Sequence, residues 1–139
     1  MSRPVAALVA CCKQKKNYPT EAIELYCSPL FKKSVEYAKS FGLPIYILSA
    51  KYGLISASRT IAPYDLTLNK MTASEKKDWA VKVASQIKEQ FGNNTLLCLA
   101  GENYLKAFDY CENDIINPLA SKGLGERLQW LERRLKSTK

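Results

Sequence analysis

Apolar residues arrive along this chain in three short unbroken runs: Pro4–Cys12 (PVAALVACC), Pro44–Ala50 (PIYILSA) and Thr95–Ala100 (TLLCLA). They do not alternate with polar residues, so each reads as a strand covered on both faces, the kind found in a parallel sheet. Between the runs the period becomes helical. Ser28-Pro29 is a helix start, with serine as N-cap and proline in the first turn. Phe31, Val35, Ala38 and Phe41 follow at helical spacing, and Gly42 is the stop. Thr72-Ala-Ser-Glu75 is a capping box, and behind it Ala80, Val83, Ala84, Ile87 and Phe91 share one face up to Gly92.

Weaker signals fill the rest. Gly101-Glu102-Asn103 opens a short helix carrying Tyr104, Leu105 and Phe108. Asp114–Leu119 reads as a short fourth strand, and Leu124, Leu128, Leu131 and Leu135 mark a final basic helix. Lys13–Thr20 is a polar loop, and Lys51–Met71 has no period at all. Long loops of that kind in compact domains are usually functional.

Strands alternating with helices predict one α/β domain over residues 1–139. Its expected form is a three-layer α/β/α sandwich with a mainly parallel central sheet and right-handed crossovers. The expected parallel core contains Val5–Ala10, Ile45–Ser49 and Leu96–Leu99. Ligands in such sheets bind beyond the carboxyl ends of the strands. Three strands end there in polar residues: Cys12-Lys13, Ser49–Gly53 and Gly101–Tyr104. The expectation is one concave rim formed by Cys12, Lys13, Ser49, Lys51, Tyr64, Asp65 and Gly101.

Composition narrows the chemistry. With 47% apolar and 24% charged residues the chain is ordinary globular material, which excludes disordered, collagenous and coiled-coil classes. No apolar run approaches the roughly 20 residues of a membrane span. The N-terminal run is too short for a secretory signal, so a cytoplasmic protein without a membrane partner is expected. Lysine and arginine number 21 against 13 acidic residues, a net charge of +8. That excess points to a polyanion: nucleic acid, DNA ahead of RNA, or a nucleotide. The plainer reading is a solubilising lysine surface. A basic patch of Lys13, Lys15, Lys16, Lys51, Arg127 and Arg134 is expected beside the pocket, with a tail through Arg133, Lys136 and Lys139. Lys32, Lys33, Lys76, Lys77 and Lys88 fall on helix surfaces. There is no histidine, which removes the Ser-His-Asp triad, the Cys-His dyad and His-ligated metals. No metal and no cofactor is expected. The five cysteines include no CxxC and read as reduced thiols.

Each rim segment also has a structural reading. Lys51 suits a phosphate or a departing anion, Tyr52 suits stacking on a base, and Gly53 allows a tight turn or a close backbone approach. The same residues equally make a plain strand-to-loop turn. Asp65, beside Tyr64 and Pro63, is a candidate base or electrostatic stabiliser, or a turn former. Gly101 and Tyr104 flank Glu102, a second carboxylate at a helix start where acidic residues are favourable anyway. Arg127, after Gly123 and Gly125, is placed to reach the rim.

Taken together, Ala22–Phe31 (AIELYCSPLF), Ile47–Leu54 (ILSAKYGL), Ile61–Leu68 (IAPYDLTL) and Gly123–Leu131 (GLGERLQWL) resemble a bacterial and phage domain family of unknown function. The ILSAKYGL and PYD segments are also similar to the peroxide-stress YaaA proteins. Such domains resemble the uracil-DNA-glycosylase superfamily. The resemblance implies a parallel-sheet α/β/α fold and an enzyme that cleaves the N-glycosidic bond of a modified base, most concretely a DNA glycosylase. The glycosylase histidine has no counterpart here. On this reading Asp65 positions water or stabilises the sugar cation, and Lys51 stabilises the base anion. Tyr52 or Tyr64 stacks on the base, and Lys13 and Arg127 bind flanking phosphate. The alternative is a non-catalytic nucleotide or nucleic-acid binding module using the same rim.

Overall fold

The computed structural model describes residues 3–120 and 122–137; Lys139 of the expected basic tail lies outside them. The strands are β1 (Ala7–Ala10), β2 (Thr20–Glu21), β3 (Ile45–Ser49), β4 (Gly53–Ser56), β5 (Thr60–Ile61), β6 (Leu96–Leu99) and β7 (Ile115–Ile116). The helices are α1 (Ala22–Leu25), α2 (Pro29–Lys39), α3 (Ala73–Phe91), α4 (Glu102–Leu105) and α5 (Leu124–Ser137), with 3-10 turns at Leu68–Lys70 and Lys106–Tyr110.

The central sheet runs β4-β3-β1-β6-β7. β1 lies parallel to β3, with Ala7 opposite Ile45, and parallel to β6, with Ala7 opposite Leu97. β7 is parallel to β6, and β4 alone is antiparallel. Ala7, Leu8 and Val9 are buried in succession, as are all four residues of β6, so both faces of the sheet centre are covered. The crossover from β1 to β3 moves one way and that from β3 to β6 moves back past β1. Right-handed crossovers then put α2 and α3 on opposite faces. α5 packs against α2, and the Lys106–Tyr110 turn packs against α3. The chain is thus a mixed α/β domain with a central sheet and helices about it.

Local chemistry sets the helix starts. The Ser28 hydroxyl accepts from the Phe31 amide at 3.1 Å. In α3 the Thr72 hydroxyl accepts from the Glu75 amide at 3.1 Å, and the Glu75 carboxylate accepts from the Thr72 amide at 3.0 Å. α3 buries Ala80, Val83, Ala84, Ile87 and Phe91, the stripe read from sequence. α2 stops at Lys39, two residues before Phe41, whose ring is 56% exposed and not part of the core. The fourth parallel strand shrinks to Ile115–Ile116.

The larger correction concerns residues 51–71. They form β4, β5 and a 3-10 turn, not a plain loop. β3 turns straight into β4, with Ser49 paired to Gly53. β5 pairs with β2 in a separate antiparallel ribbon. Gly53 makes the first turn possible: its φ is +74°, and a Cβ there would strike the Gln86 carboxamide. That carboxamide oxygen accepts from the Leu54 amide at 2.9 Å, fastening β4 to α3. The Trp79 indole N–H adds a second fastening, donating to the Ser49 carbonyl at 2.9 Å. Among the described residues no helix is long and apolar enough to cross a membrane.

Gly53→Ala should therefore cost about 1–3 kcal/mol, the range for a side chain forced to positive φ. Urea unfolding measures it. A change below about 0.5 kcal/mol, the level of an ordinary surface substitution, would show that the turn relaxes freely.

Candidate functional site

β1 sits where the strand order reverses. The chain leaves its carboxyl end toward one face to reach β3, and reaches β6 from the other face. Between the carboxyl ends of β1 and β6 no connection crosses, and a crevice opens there. It holds a cavity of about 880 Å³. Its lining joins Cys11, Cys12 and Ala100 with the apolar Leu30, Phe31, Leu119 and Leu128 and the polar Lys13, Ser34, Glu102, Tyr104 and Arg127.

Arg127 is held in place from two sides. Its Nε donates to the Lys122 carbonyl at 2.9 Å. Its guanidinium lies on the backbone of Gly101, where a Cβ would sit 2.9 Å from Nη1. Gly101 is needed here for close approach, since its φ of −82° suits any residue. Neither Arg127 nor Lys13 makes an ion pair among the described residues. Glu102 is the one carboxylate of the lining and is exposed. The Asn103 and Asn69 side chains hydrogen-bond, tying α4 to the 3-10 turn at Leu68–Lys70.

Beside the cavity lies a buried hydroxyl chain. The Ser49 hydroxyl oxygen accepts from the Lys51 amide at 3.2 Å and the Tyr52 amide at 3.0 Å. A hydroxyl has two acceptor sites, so the Ser49 O–H is left to donate to the Tyr64 oxygen, 2.8 Å away. The Tyr64 O–H then donates to Tyr26 at 2.6 Å. Tyr104 Oη and Cys11 Sγ are 3.0 Å apart. Burial, and next the neighbouring Cys11 thiol, push the hydroxyls of Tyr26, Tyr64 and Tyr104 well above the ordinary phenol range. Lys15 Nζ stands 4.5 Å over the Tyr64 ring and donates to the Lys13 carbonyl at 3.2 Å.

The sequence-predicted residues divide into two groups. Cys12, Lys13, Gly101, Tyr104 and Arg127 line the cavity. Ser49, Lys51, Tyr52, Gly53, Tyr64 and Asp65 are not in its lining. Ser49 and Tyr64 belong to the hydroxyl chain and Gly53 to the β4 turn. Lys51 is exposed, 5.3 Å over the Tyr52 ring, which Arg59 also meets at 5.3 Å. Asp65 is exposed and makes no hydrogen bond or ion pair among the described residues. β3 ends in a hairpin, and the chain then returns to set the Tyr64 hydroxyl on Ser49 and Tyr26, beside the cavity and outside its lining. Of the expected basic patch, Lys13 and Arg127 line the cavity. Lys16 lies 4.0 Å from Glu24, and Arg134 stacks on Trp130 at 5.0 Å.

Sequence reading passed over Ser34, Asn69, Asn103 and Tyr26. Ser34 had a usable signal: the helix after a central strand starts at the carboxyl edge, so the polar positions of its first turns face the crevice. Asn69 and Tyr26 had none, because only tertiary contacts bring them in. Among the described residues no group of three cysteine, histidine or acidic side chains gathers as a metal site.

These features define a mixed α/β domain with a ligand-sized cavity at the switch point of its sheet. Residues 6–133 match the model of a family of unknown function (DUF6884), and the chain belongs to that family. A search of curated proteins finds no match.

Raised tyrosine pKa values carry a stability sign. Below about pH 10 the phenols are neutral in both folded and unfolded chains. Above it the unfolded chain releases protons that Tyr26, Tyr64 and Tyr104 retain, so stability is full below the unfolded value and falls as pH climbs toward the folded ones. In an alkaline titration of tyrosinate absorbance, these three of the eight tyrosines should ionise only as the protein unfolds. Reversible titration of all eight near pH 10 would contradict the buried chain.

Proposed function

We propose that the cavity holds a nucleotide unit and that the chain is a nucleic-acid base-processing enzyme, a glycosylase acting on a modified base in DNA. One observation carries the reading: a carboxylate, Glu102, and two cations without ion-pair partners among the described residues, Lys13 and Arg127, share one cavity with apolar residues. Leu30, Phe31, Leu119 and Leu128 suit a base, and the cations suit phosphate and a departing base anion. The cavity's volume lies in the range of small-molecule sites. The four parallel strands β3-β1-β6-β7 with helices around them support the uracil-DNA-glycosylase-like α/β/α sandwich as the fold reading.

Glycosidic cleavage passes through an oxocarbenium-like transition state. Glu102 would face the sugar cation and orient water. The water oxygen bonds to the sugar carbon as the carbon–nitrogen bond breaks. The base leaves with that electron pair, its charge met by Arg127 or Lys13, and takes a proton. The catalytic assignment thus moves from Asp65 and Lys51, outside the cavity lining, to Glu102 and Arg127. A non-catalytic nucleotide-binding module is favoured by one feature: no neighbour hydrogen-bonds the Glu102 carboxylate among the described residues.

Purified protein incubated with DNA carrying diverse modified bases should release a free base, read by mass spectrometry. Glu102→Gln should lower release by about a hundredfold or more, the scale of a lost acid–base group, while binding holds within a few-fold. Arg127→Ala should weaken binding about tenfold, as for a charge-assisted contact. Binding without release by the unaltered protein selects the module. No binding of nucleotide or nucleic acid overturns both.

A further inference from the structure

Cations and aromatic rings continue out of the cavity along the seam between α2 and α5. Arg127 lines the cavity, and Trp130 and Arg134 follow it at +3 and +7 on one side of α5. Trp130 is half-buried, its ring edge-on to Tyr37 of α2 at 5.3 Å. Tyr37 meets Phe41 in turn, edge-on at 5.0 Å, and Phe41 is 56% exposed. Arg134 lies 5.0 Å over the Trp130 ring, and Lys122 lies 5.9 Å from its centre. Both helices start at the cavity, since Pro29 and Leu30 of α2 line it as Arg127 and Leu128 of α5 do.

We infer that this seam is a track for single-stranded nucleic acid, holding the nucleotides that flank the one in the cavity. The inference rests on the nucleotide reading of the cavity and adds the form of the polymer. Seven residues of helix separate Arg127 from Arg134, about 10 Å. A stacked strand, as in a duplex, rises about 3.4 Å per nucleotide and an extended one rises more, so that length spans at most about three nucleotides. Lys122, Arg127 and Arg134 are the cations of this stretch, and Glu126 stands a turn before Trp130. Charge alone would serve duplex equally. An exposed Phe41 ring and a half-buried Trp130 ring favour a single strand, because unpaired bases offer faces for stacking and a duplex does not. Arg134 and Lys122 cover Trp130 as cations on flexible stems, and they can exchange the ring for phosphate while a base takes their place.

The chain has two tryptophans, Trp79 packs on the cavity residue Tyr104, and the quenching that Trp130→Phe removes is the part that reports Trp130. The probes are thymidine monophosphate, oligothymidylates of two, four and six residues, and a hairpin duplex. Affinity should rise about tenfold or more from one to four residues with progressive quenching, then level off, the scale of one stacked base. Arg134→Glu and Phe41→Ser, both at exposed positions, should each lower tetranucleotide affinity several-fold and leave the mononucleotide unaffected. Trp130→Phe should keep most of the length dependence and lose the quenching.

A tetranucleotide that binds no tighter than the mononucleotide overturns the track and spares the cavity. Length dependence unchanged in Arg134→Glu and Phe41→Ser also overturns it, as does a duplex that binds more tightly than the tetranucleotide. Tetranucleotide binding with quenching, but no mononucleotide binding, overturns the cavity reading and supports the track. Failure of both probes overturns both.

Discussion

A strand hydrogen-bonded on both edges and covered on both faces can receive ligand chemistry only at its ends, and β1 is such a strand. Its pairing with β3 on one side and β6 on the other forces the chain to return past it, and that return makes the crevice. Cys11, Cys12 and Lys13 reach the cavity because they continue β1 beyond its last paired residue. Gly101 and Tyr104 reach it because they continue β6. α2 contributes its first turns for the same reason, since it must begin where the loop after β1 delivers it. The site is therefore assembled mostly from the segments that continue two neighbouring strands.

The third strand end behaves differently. β3 also ends in polar residues, but its last residue, Ser49, is fully buried and its hydroxyl oxygen is occupied by two turn amides. That leaves its proton committed to Tyr64 and Tyr64's proton to Tyr26. A buried polar group must find partners, and here the partners are hydroxyls and backbone. The polar groups of the Ser49–Gly53 segment are thus taken up by a turn, a helix contact and a hydroxyl chain. Arg127 is the contrast. Its Nε takes one carbonyl, and its terminal nitrogens lie over a glycine beside the cavity, with no carboxylate paired to them among the described residues.

Much of the fold was legible because it follows from local rules. Three apolar runs gave the three principal parallel strands, and both long helix starts were written in serine, proline, threonine and glutamate at their capping positions. What escaped was short and non-local. β4 and β5 have four and two residues, too few to show a period, and each exists because a distant partner completes its hydrogen bonds. Phe41 fits the helical spacing of α2 yet lies beyond its end, because spacing says nothing of where the backbone stops turning.

For the site, the sequence by itself determined which chemistry was absent and which residue types stood at each strand end. It excluded histidine outright, and it marked Cys12, Lys13, Gly101, Tyr104 and Arg127 as rim residues from polar positions after apolar runs and from one basic helix start. Tertiary structure decided which ends share a cavity. Strand order is a matter of pairing between segments far apart in the chain, and no local pattern encodes it. The same is true of direction: a tight turn after β3 reverses the chain instead of opening a loop, and neither Lys51 in that turn nor Asp65 further on is in the cavity lining. Glu102 lines the cavity because β6 and β1 are neighbours, a fact held in backbone hydrogen bonds between residues some 90 positions apart.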